Sequence, residues 1–309
     1  MRGLPSALTL LLSCSDVVAT HTFDVLATNG TDVFYMDEPV HNGDGRLLRV
    51  NSQTSSVLLA SGTGEPMQLV ADGSGVYWTA FGQVLKATSL DGTMTLTLAT
   101  FAASLPISAA ETEVFWFSSG SPVTLQATTK DGSATRTVSQ GVDLFVTALS
   151  ITPQLAFWSE WGTQDSSIGF GTIQAVNVDG TGAVTTVAQV SGSADGMATD
   201  EQFVYWVALT ATGTRVSKAP QSGGAESVIA TVASTLDSCD TTMSCGAHDR
   251  LRIDGDDLFW SDSHTLHRIP KSGGNPIAVV NSDDRIKRFV VSGKSVYYLT
   301  SGGLHRVVR

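Results

Sequence analysis

Short runs in which apolar and polar residues alternate recur along the whole chain, separated by turns rich in glycine and aspartate. Alternation with a period of two is typical of β-strands that bury one face. No stretch of useful length shows the 3.6-residue period of an amphipathic helix. The pattern therefore predicts an all-β protein built from many short strands.

One phrase is repeated along the chain, namely a turn followed by a strand that ends in two adjacent aromatic residues. The second aromatic residues of consecutive copies lie 38 to 54 residues apart, which brackets the period of about 40–45 residues found in four-stranded propeller blades. Each copy continues through two further strands and Asp-Gly or Gly-Gly turns, which supply the positive φ angles of tight hairpins. The aromatic pairs are Phe34-Tyr35, Tyr77-Trp78, Phe115-Trp116, Phe157-Trp158, Tyr205-Trp206, Phe259-Trp260 and Tyr297-Tyr298.

Seven copies predict a seven-bladed β-propeller whose blades are four-stranded antiparallel sheets. The last copy ends at Arg309 after its third strand, whereas the stretch from Val17 to His21 precedes the first copy and has no partner there. We therefore expect this N-terminal strand to complete the last blade. Such closure joins the two ends of the ring and removes open sheet edges.

The aromatic pairs themselves have two interpretations. Adjacent residues on a strand point to opposite faces of the sheet, and both faces of a blade pack on neighbouring blades. We therefore expect the pairs to fill the interfaces between blades, where each ring buries about 150–250 Å². The alternative is a ladder of aromatic rings that binds a ligand.

The amino terminus carries a candidate export signal. Arg2 precedes a short apolar stretch, and Leu11-Leu12-Ser13-Cys14 matches a bacterial lipobox. We expect residues 1–13 to be a lipoprotein signal peptide, Cys14 to be lipidated, and 14–309 to form a single propeller domain. This predicts a lipoprotein of the bacterial cell envelope, at the outer membrane, that contacts the membrane only through its anchor. The alternatives are an ordinary secretory signal and a disordered terminus that carries a cysteine by chance.

Two further cysteines lie close together. Cys239 and Cys245 stand in a polar segment, and in an exported chain such a pair favours a local disulfide that restricts a loop. A zinc site is the alternative, but His248 is the one additional ligand nearby.

The segments that interrupt the repeats are the candidate binding loops, and they span residues 37–45, 160–171, 232–250 and 281–288. In a propeller, the loops between second and third strands and the links between blades emerge on one face, and loops on a rigid scaffold often carry function. Solvated surface decoration is the alternative. The predicted binding face consists of Glu160, Trp161, Asp165, His248, Asp249, Arg250, Asp283, Asp284 and Arg285.

Charge and motifs exclude several functions. The 309 residues include 18 basic and 29 acidic side chains, a net charge of −11, which argues against nucleic-acid binding. The sequence has no phosphate-binding loop, nucleophile elbow or zinc-protease helix. His264 and His267 are three residues apart but supply two ligands at most. We therefore predict no catalytic residue, no metal and no cofactor, and we expect a monomer.

Two segments carry a family resemblance. Val76-Tyr77-Trp78-Thr79 and Leu258-Phe259-Trp260-Ser261-Asp262 resemble the YWTD-type propeller repeats of low-density-lipoprotein-receptor-like proteins. The whole chain is similar still more closely to propeller lipoproteins of myxobacteria and their relatives. It differs from the receptor group in having seven units rather than six, so the ligands of those receptors do not carry over.

Two classes of function follow from these features. The first is a binding or scaffold propeller that presents its loop face to a protein, peptide or glycan. The alternative is a propeller enzyme of the lyase or lactonase type, which would need metal ligands or a histidine–carboxylate pair at the mouth of the central channel. No such set recurs at equivalent positions of the repeats, so the binding function is favoured.

Overall fold

A ring of small antiparallel sheets forms the protein. The computed structural model describes residues 16–20, 22–37, 45–50, 56–80, 84–100, 106–118, 120–142, 146–161, 170–210, 212–233 and 250–309. Within these ranges there are 28 strands in seven four-stranded sheets, and there is no helix. The predicted all-β, seven-bladed propeller is therefore confirmed. None of the described segments provides a helix that could cross a membrane.

Blades 1 to 6 are each built from four consecutive strands, and blade 7 combines the last three strands with the N-terminal one. The first strands of neighbouring blades contact one another and form the inner wall of the ring. Blades 1 and 2 comprise β2 (Thr22–Thr28), β3 (Val33–Asp37), β4 (Arg46–Val50), β5 (Ser56–Ser61), β6 (Pro66–Ala71), β7 (Gly75–Ala80), β8 (Val84–Ser89) and β9 (Thr95–Thr100). Blades 3 and 4 comprise β10 (Ser108–Ala109), β11 (Glu113–Phe117), β12 (Val123–Thr129), β13 (Thr135–Val142), β14 (Val146–Ile151), β15 (Leu155–Trp161), β16 (Phe170–Asn177) and β17 (Thr185–Ser191).

The remaining strands complete the ring. Blades 5 and 6 comprise β18 (Ser193–Thr199), β19 (Phe203–Thr210), β20 (Gly213–Pro220), β21 (Ser227–Ala233), β22 (Leu251–Asp254), β23 (Asp257–Ser261), β24 (Thr265–Pro270) and β25 (Ile277–Asn281). Blade 7 comprises β26 (Arg288–Ser292), β27 (Ser295–Thr300), β28 (Gly303–Val308) and β1 (Asp16–Ala19).

The N-terminal strand closes the ring as expected. β1 pairs antiparallel with β28, with Val17 opposite His305 and Asp16 opposite Arg306. The two strands approach so closely at Gly303 that a β-carbon there would overlap the carbonyl oxygen of Ala19. Gly303 also has a φ of +117°, a conformation that favours glycine. The closure therefore depends on glycine at this position.

The aromatic pairs fill the interfaces between blades. In blade 2, Tyr77 packs with Val114 and Trp116 of blade 3, whereas Trp78 packs with Phe34 of blade 1. The same rule holds around the ring, because the first aromatic residue of each pair contacts the next blade and the second contacts the previous one. All fourteen side chains are buried. They form the core, as the sequence predicted.

The antiparallel order gives the disc two different faces. Turns from first to second strand and from third to fourth strand lie on one face, which we call the turn face. Connections from second to third strand and from one blade to the next lie on the opposite face, which we call the loop face. The predicted binding residues that the structure describes belong to the loop face.

Candidate functional site

The structure describes the side chains of five predicted binding residues, which are Glu160, Arg250, Asp283, Asp284 and Arg285. For Trp161 it describes the strand but not the side chain. Asp165, His248 and Asp249 lie outside the described residues, as do Cys14, Cys239 and Cys245. The lipid anchor and the disulfide therefore stay predictions.

The link from blade 6 to blade 7 is fixed at both ends. The side chain of Ile286 is buried, and its backbone N–H donates to the carbonyl of Ser263 at 2.8 Å. The next residue, Lys287, donates its backbone N–H to Leu299 of blade 7, also at 2.8 Å. Asp283 and Asp284 lie exposed at the outer end of this link. Two carboxylates are thus held on the loop face by an ordered segment.

Charged residues also lie at the start of the inner strands in the same part of the loop face, at blades 6, 7 and 1. Arg250 precedes β22 and Arg288 begins β26, at equivalent positions of blades 6 and 7, and they are 3% and 6% exposed. Arg288 Nε donates to the backbone carbonyl of Asp24 in blade 1. Lys287 Nζ lies 2.8 Å from the Asp24 carboxylate. We call Asp24, Arg250, Lys287 and Arg288 the channel-mouth cluster.

The structure brings some of the predicted binding residues close together and places others in different blades. Arg250 and the 283–285 link both flank the turn between β23 and β24, because the carbonyl of Arg250 accepts the Ser261 N–H at 3.2 Å. Glu160 lies in blade 4, where its carboxylate accepts the indole N–H of Trp158 at 2.6 Å. Asp24 was not anticipated, because a single charge in an inner strand gives no signal of its contact with blade 7.

A buried Asp–His pair was also missed. His267 Nε2 lies 2.9 Å from Asp262 Oδ2, and its ring stacks on Trp260 with centroids 5.0 Å apart. Burial raises the pKa of Asp262, but the His267 hydrogen bond and the amides of Thr265 and His264 outweigh it, so this pKa is lowered. Both partners are closed off from solvent, with 4% and 7% exposure. The pair stabilises the β23–β24 turn rather than offering a reactive group.

Blade 7 repeats this arrangement with a different acceptor. His305 stacks on Tyr298 with centroids 5.0 Å apart, and its Nε2 lies 2.9 Å from the hydroxyl of Thr300. Burial lowers the pKa of His305, and the nearby Asp284 carboxylate partly opposes that shift. The Asp284 carboxylate on the loop face therefore influences the protonation of His305 at the edge of the core.

The inner strands enclose a central cavity of about 240 Å³. Its lining residues come from blades 1 to 6 and include the amide of Gln68 and the guanidinium of Arg252 among aliphatic side chains such as Leu69, Ile107 and Leu149. Among the described residues, no group of three or more His, Cys, Asp or Glu side chains is placed to hold a metal ion.

A larger groove of about 410 Å³ lies on the turn face between blades 2 and 3. Its inner wall includes Tyr77, Ala87 and Leu96, and its rim carries hydroxyl groups and the charged side chains of Glu111, Lys130 and Asp131. Burial raises the pKa of Tyr77 to about 12, so its phenol is protonated at neutral pH. We call this cavity the 2–3 groove.

The turns that border this groove hold ionised aspartates. Asp131 accepts hydrogen bonds from the Thr129 hydroxyl at 2.6 Å and from the Ser133 N–H at 2.9 Å. These bonds lower the pKa of Asp131 to about 2. Its carboxylate therefore carries a full negative charge on the exposed rim.

Comparison with known proteins identifies the fold. No protein family and no curated protein matches the sequence. Among solved structures, the WD40 β-propeller domain of Doa1 has a TM-score of 0.67 at 13% identity, with 96% of this chain and 97% of that chain covered. An oligogalacturonate lyase in complex with manganese has a TM-score of 0.66 at 11% identity, with 96% and 93% covered.

A third similar structure is PorZ of Porphyromonas gingivalis, a bacterial surface component of the type-IX secretion system. It has a TM-score of 0.64 at 14% identity, and the match covers 95% of this chain and 38% of that chain. At these identities the likeness shows the propeller fold alone. The similar structures include both a lyase and a WD40 domain, so they do not choose between catalysis and binding.

Proposed function

We propose that this protein is a binding or scaffold module whose loop face engages a protein, peptide or glycan. The observation that carries the proposal is the ordered link from blade 6 to blade 7. It holds Asp283 and Asp284 exposed while Ile286 is buried beneath them. A partner therefore meets charged groups whose backbone is already fixed, which lowers the entropy lost on binding.

The channel-mouth cluster supports the same sector of the loop face. Arg250 and Arg288 are buried at equivalent positions of adjacent blades, whereas Lys287 and Asp24 form an ion pair at the surface, between blades 7 and 1. Both signs of charge thus occur within one sector. Such a surface suits a polar partner with complementary charges better than an apolar cofactor.

The test is affinity capture from the native envelope with the tagged full-length chain, followed by binding measurements on the captured partner. Replacing Asp283 and Asp284 by Asn together should weaken that binding. Asp179→Asn on the turn face is the matched control, because it removes a similarly exposed charge and should leave binding unchanged. Equal binding by both variants would contradict a role for this loop-face sector.

For the location of the protein, we propose membrane attachment through lipidated Cys14. The supporting geometry is that β1 begins at Asp16, opposite Arg306, and runs along the outer edge of blade 7 toward the loop face. The start of β1 therefore lies on the turn-face side of the rim. An anchor there would direct the loop face away from the membrane.

Replacing Cys14 by Ser should release the protein from the membrane fraction. Cell fractionation followed by immunoblotting measures this. A Ser13→Ala variant, which retains the cysteine, serves as the control and should remain with membranes. Unchanged partitioning of the Cys14 variant would refute the anchor.

We further propose that Cys239 and Cys245 form a disulfide that orders the segment before β22. Replacing both by Ser should leave the propeller folded and weaken binding of the captured partner. Thiol titration of the unfolded wild-type chain, with and without reduction, shows whether the bridge forms. Two thiols that react without reduction would contradict it.

A further inference from the structure

A charged clamp recurs between neighbouring blades on the turn face. Lys130 of blade 3 pairs with Asp72 of blade 2, and Lys271 of blade 6 pairs with Asp200 of blade 5 at 3.0 Å. In each pair the lysine follows the third strand of one blade, and the aspartate follows the first strand of the previous blade. The 2–3 interface and the 5–6 interface are therefore built on the same plan.

The two interfaces differ at the residue opposite the first aromatic side chain. In blade 5, Lys218 stands opposite Tyr205, whereas in blade 2 Ala87 stands opposite Tyr77. The Lys218 ammonium lies 4.6 Å from the ring centroid of Phe203 and 5.9 Å from that of Tyr205. It also donates to the carbonyl of Lys271 at 3.2 Å. Lys218 thus fills the 5–6 interface.

A cation at this position is common in the ring. Arg268 and Arg306 stand opposite Phe259 and Tyr297 in blades 6 and 7, each with its guanidinium 5.9 Å from the ring. In blade 1 the equivalent Arg49 donates to the carbonyl of Leu90 at 3.2 Å. That carbonyl occupies the turn position equivalent to Lys271. The fold therefore repeatedly places a basic side chain between an aromatic ring and the next blade's turn.

Blade 2 lacks both side chains that fill the 5–6 interface. Gly75 occupies the position of Phe203, and Ala87 occupies the position of Lys218. Blades 3 and 4 also have alanine opposite the first aromatic residue, but at the 3–4 interface Val178 takes the place of Lys130 and packs against the apolar cluster. The 2–3 interface combines alanine with the clamp, and it is there that the 2–3 groove of about 410 Å³ opens.

We propose that the 2–3 groove binds the side chain of a lysine or arginine from a partner polypeptide, which takes the place that Lys218 occupies in the 5–6 interface. The methylene groups of the incoming side chain would pack against the ring of Tyr77, which already has the Lys130 ammonium 5.7 Å from its centroid. The carbonyl of Lys130, equivalent to that of Lys271, would accept a hydrogen bond. The carboxylates of Glu111 and Asp131 on the rim add charge complementarity.

The ammonium of Lys130 does not prevent a second cation from entering. Its charge is neutralised by Asp72, and it also donates to the carbonyl of Glu111 at 2.8 Å. The 5–6 interface shows that the arrangement is compatible with two cations, because Lys271 pairs with Asp200 while Lys218 occupies the adjacent space. Because Asp72 and Lys130 cancel each other's charge, the carboxylates of Glu111 and Asp131 leave the groove with two negative charges.

The test uses the full chain with 13C-labelled methionine methyl groups, because Met94 lines the groove and is 52% exposed. Nα-acetyl-lysine methylamide and Nα-acetyl-arginine methylamide are titrated, with Nα-acetyl-norleucine methylamide as the uncharged isostere. We expect a saturable shift of the Met94 methyl resonance with the two cations and none with norleucine. Equal shifts with norleucine would overturn the proposal.

Three variants test whether the probes bind in the 2–3 groove. Ala87→Lys supplies the missing side chain and should abolish the Met94 response to the probes. Asp131→Asn should weaken binding about two- to fivefold, since it removes one exposed charge. Its matched control, Asp179→Asn, changes the equivalent turn of blade 4 and should leave the affinity unchanged. Should Ala87→Lys fail to fold, the Asp131 and Asp179 pair still decides the question, and equal affinity of these two would overturn the proposal.

Pentylamine distinguishes the source of the cation. It carries the same ammonium group and methylene chain as lysine but has no peptide groups. Weaker binding of pentylamine than of Nα-acetyl-lysine methylamide supports a polypeptide partner. Equal or tighter binding of pentylamine would assign the groove to a free amine and overturn that part of the proposal.

Discussion

The two faces of the disc use aspartate in different ways. On the turn face, Asp91, Asp131 and Asp179 occupy equivalent turns, and each accepts the backbone N–H two residues further on, at 2.8 to 3.0 Å. These hydrogen bonds, together with those from neighbouring hydroxyl groups, lower the pKa of all three carboxylates. On the loop face, Asp283 and Asp284 lie exposed on a link whose backbone is fixed by other residues.

The difference shows that residue type alone does not separate a structural carboxylate from one offered to a partner. Each turn-face aspartate satisfies backbone donors that a tight turn would otherwise leave without a partner, so its charge is part of the turn. On the loop face, Ile286 orders the link by apolar burial. The carboxylates there are free to serve another purpose. The two faces should therefore respond differently to loss of a carboxylate.

Asp200→Asn should have the largest effect. The Asp200 carboxylate accepts the N–H groups of Gln202 and Phe203, the Tyr205 hydroxyl and the Lys271 ammonium, all at 2.9 to 3.0 Å. Burial raises its pKa, but these bonds outweigh burial and hold it at about 2. The folded-state pKa lies below the unfolded value, so the stabilisation is present above pH 4 and is lost as the pH falls toward 2. We expect a loss of about 2 kcal/mol of unfolding free energy at pH 7.

Chemical denaturation at several pH values measures this loss. The variant and the wild type should converge as the pH falls through 2, because Asp200 then becomes protonated and, like the asparagine, uncharged. Asp284→Asn is the loop-face control and should change the unfolding free energy by less than about 0.5 kcal/mol. A constant difference at every pH would show that the charge of Asp200 is not the cause.

Lys218→Ala should have the next largest effect. It removes the cation–π contact with Phe203 and the hydrogen bond to Lys271, which together contribute about 1 kcal/mol. The reverse change, Ala87→Lys, should leave stability unchanged or raise it, because the 2–3 groove has room for the side chain. Thermal unfolding of both variants checks this. A strongly destabilised Ala87→Lys variant would contradict the equivalence of the two interfaces.

Tyr77→Phe should have a smaller effect, confined to alkaline pH. Burial raises the pKa of Tyr77 to about 12, against 10.0 for an exposed tyrosine. The corresponding stabilisation is complete below pH 10 and is lost as the pH rises toward 12. Between pH 8 and pH 10.5, the wild type should lose about 0.8 kcal/mol more unfolding free energy than the variant. If the unfolding free energies of the wild type and the variant depended on pH in the same way, burial of the Tyr77 phenol would be contradicted.

Asp284→Asn should have the smallest effect on stability, below about 0.5 kcal/mol. Its signature is instead a lower pKa of His305, because the Asp284 carboxylate favours the protonated imidazole. NMR titration of the histidine ring resonances measures the shift. Asp283→Asn should leave the pKa of His305 in place, and a shift of equal size in both variants would show that the effect is not specific to Asp284.

The contacts of the charged residues were predicted less completely than the fold. Asp283 and Asp284, selected for their charge in a segment that interrupts the repeats, are exposed on the loop face, and their role in binding stays a prediction. The Asp262–His267 pair and the contact between Lys287 and Asp24 were not anticipated. His267 was recognised by its spacing from His264, whereas its partners are the ring of Trp260 on the adjacent strand and a carboxylate five residues earlier. Strand register decides such contacts.

The sequence by itself determined the number of blades, the position of the core and the closure by the N-terminal strand. These properties follow from local alternation, because adjacent residues on a strand face opposite sides and a pair such as Tyr77-Trp78 must fill two interfaces. Only the tertiary structure decided which charges meet. Lys130 and Asp72 are 58 residues apart, and Lys271 and Asp200 are 71 residues apart. Their contacts, and the groove left by Ala87, depend on how one blade packs against the next.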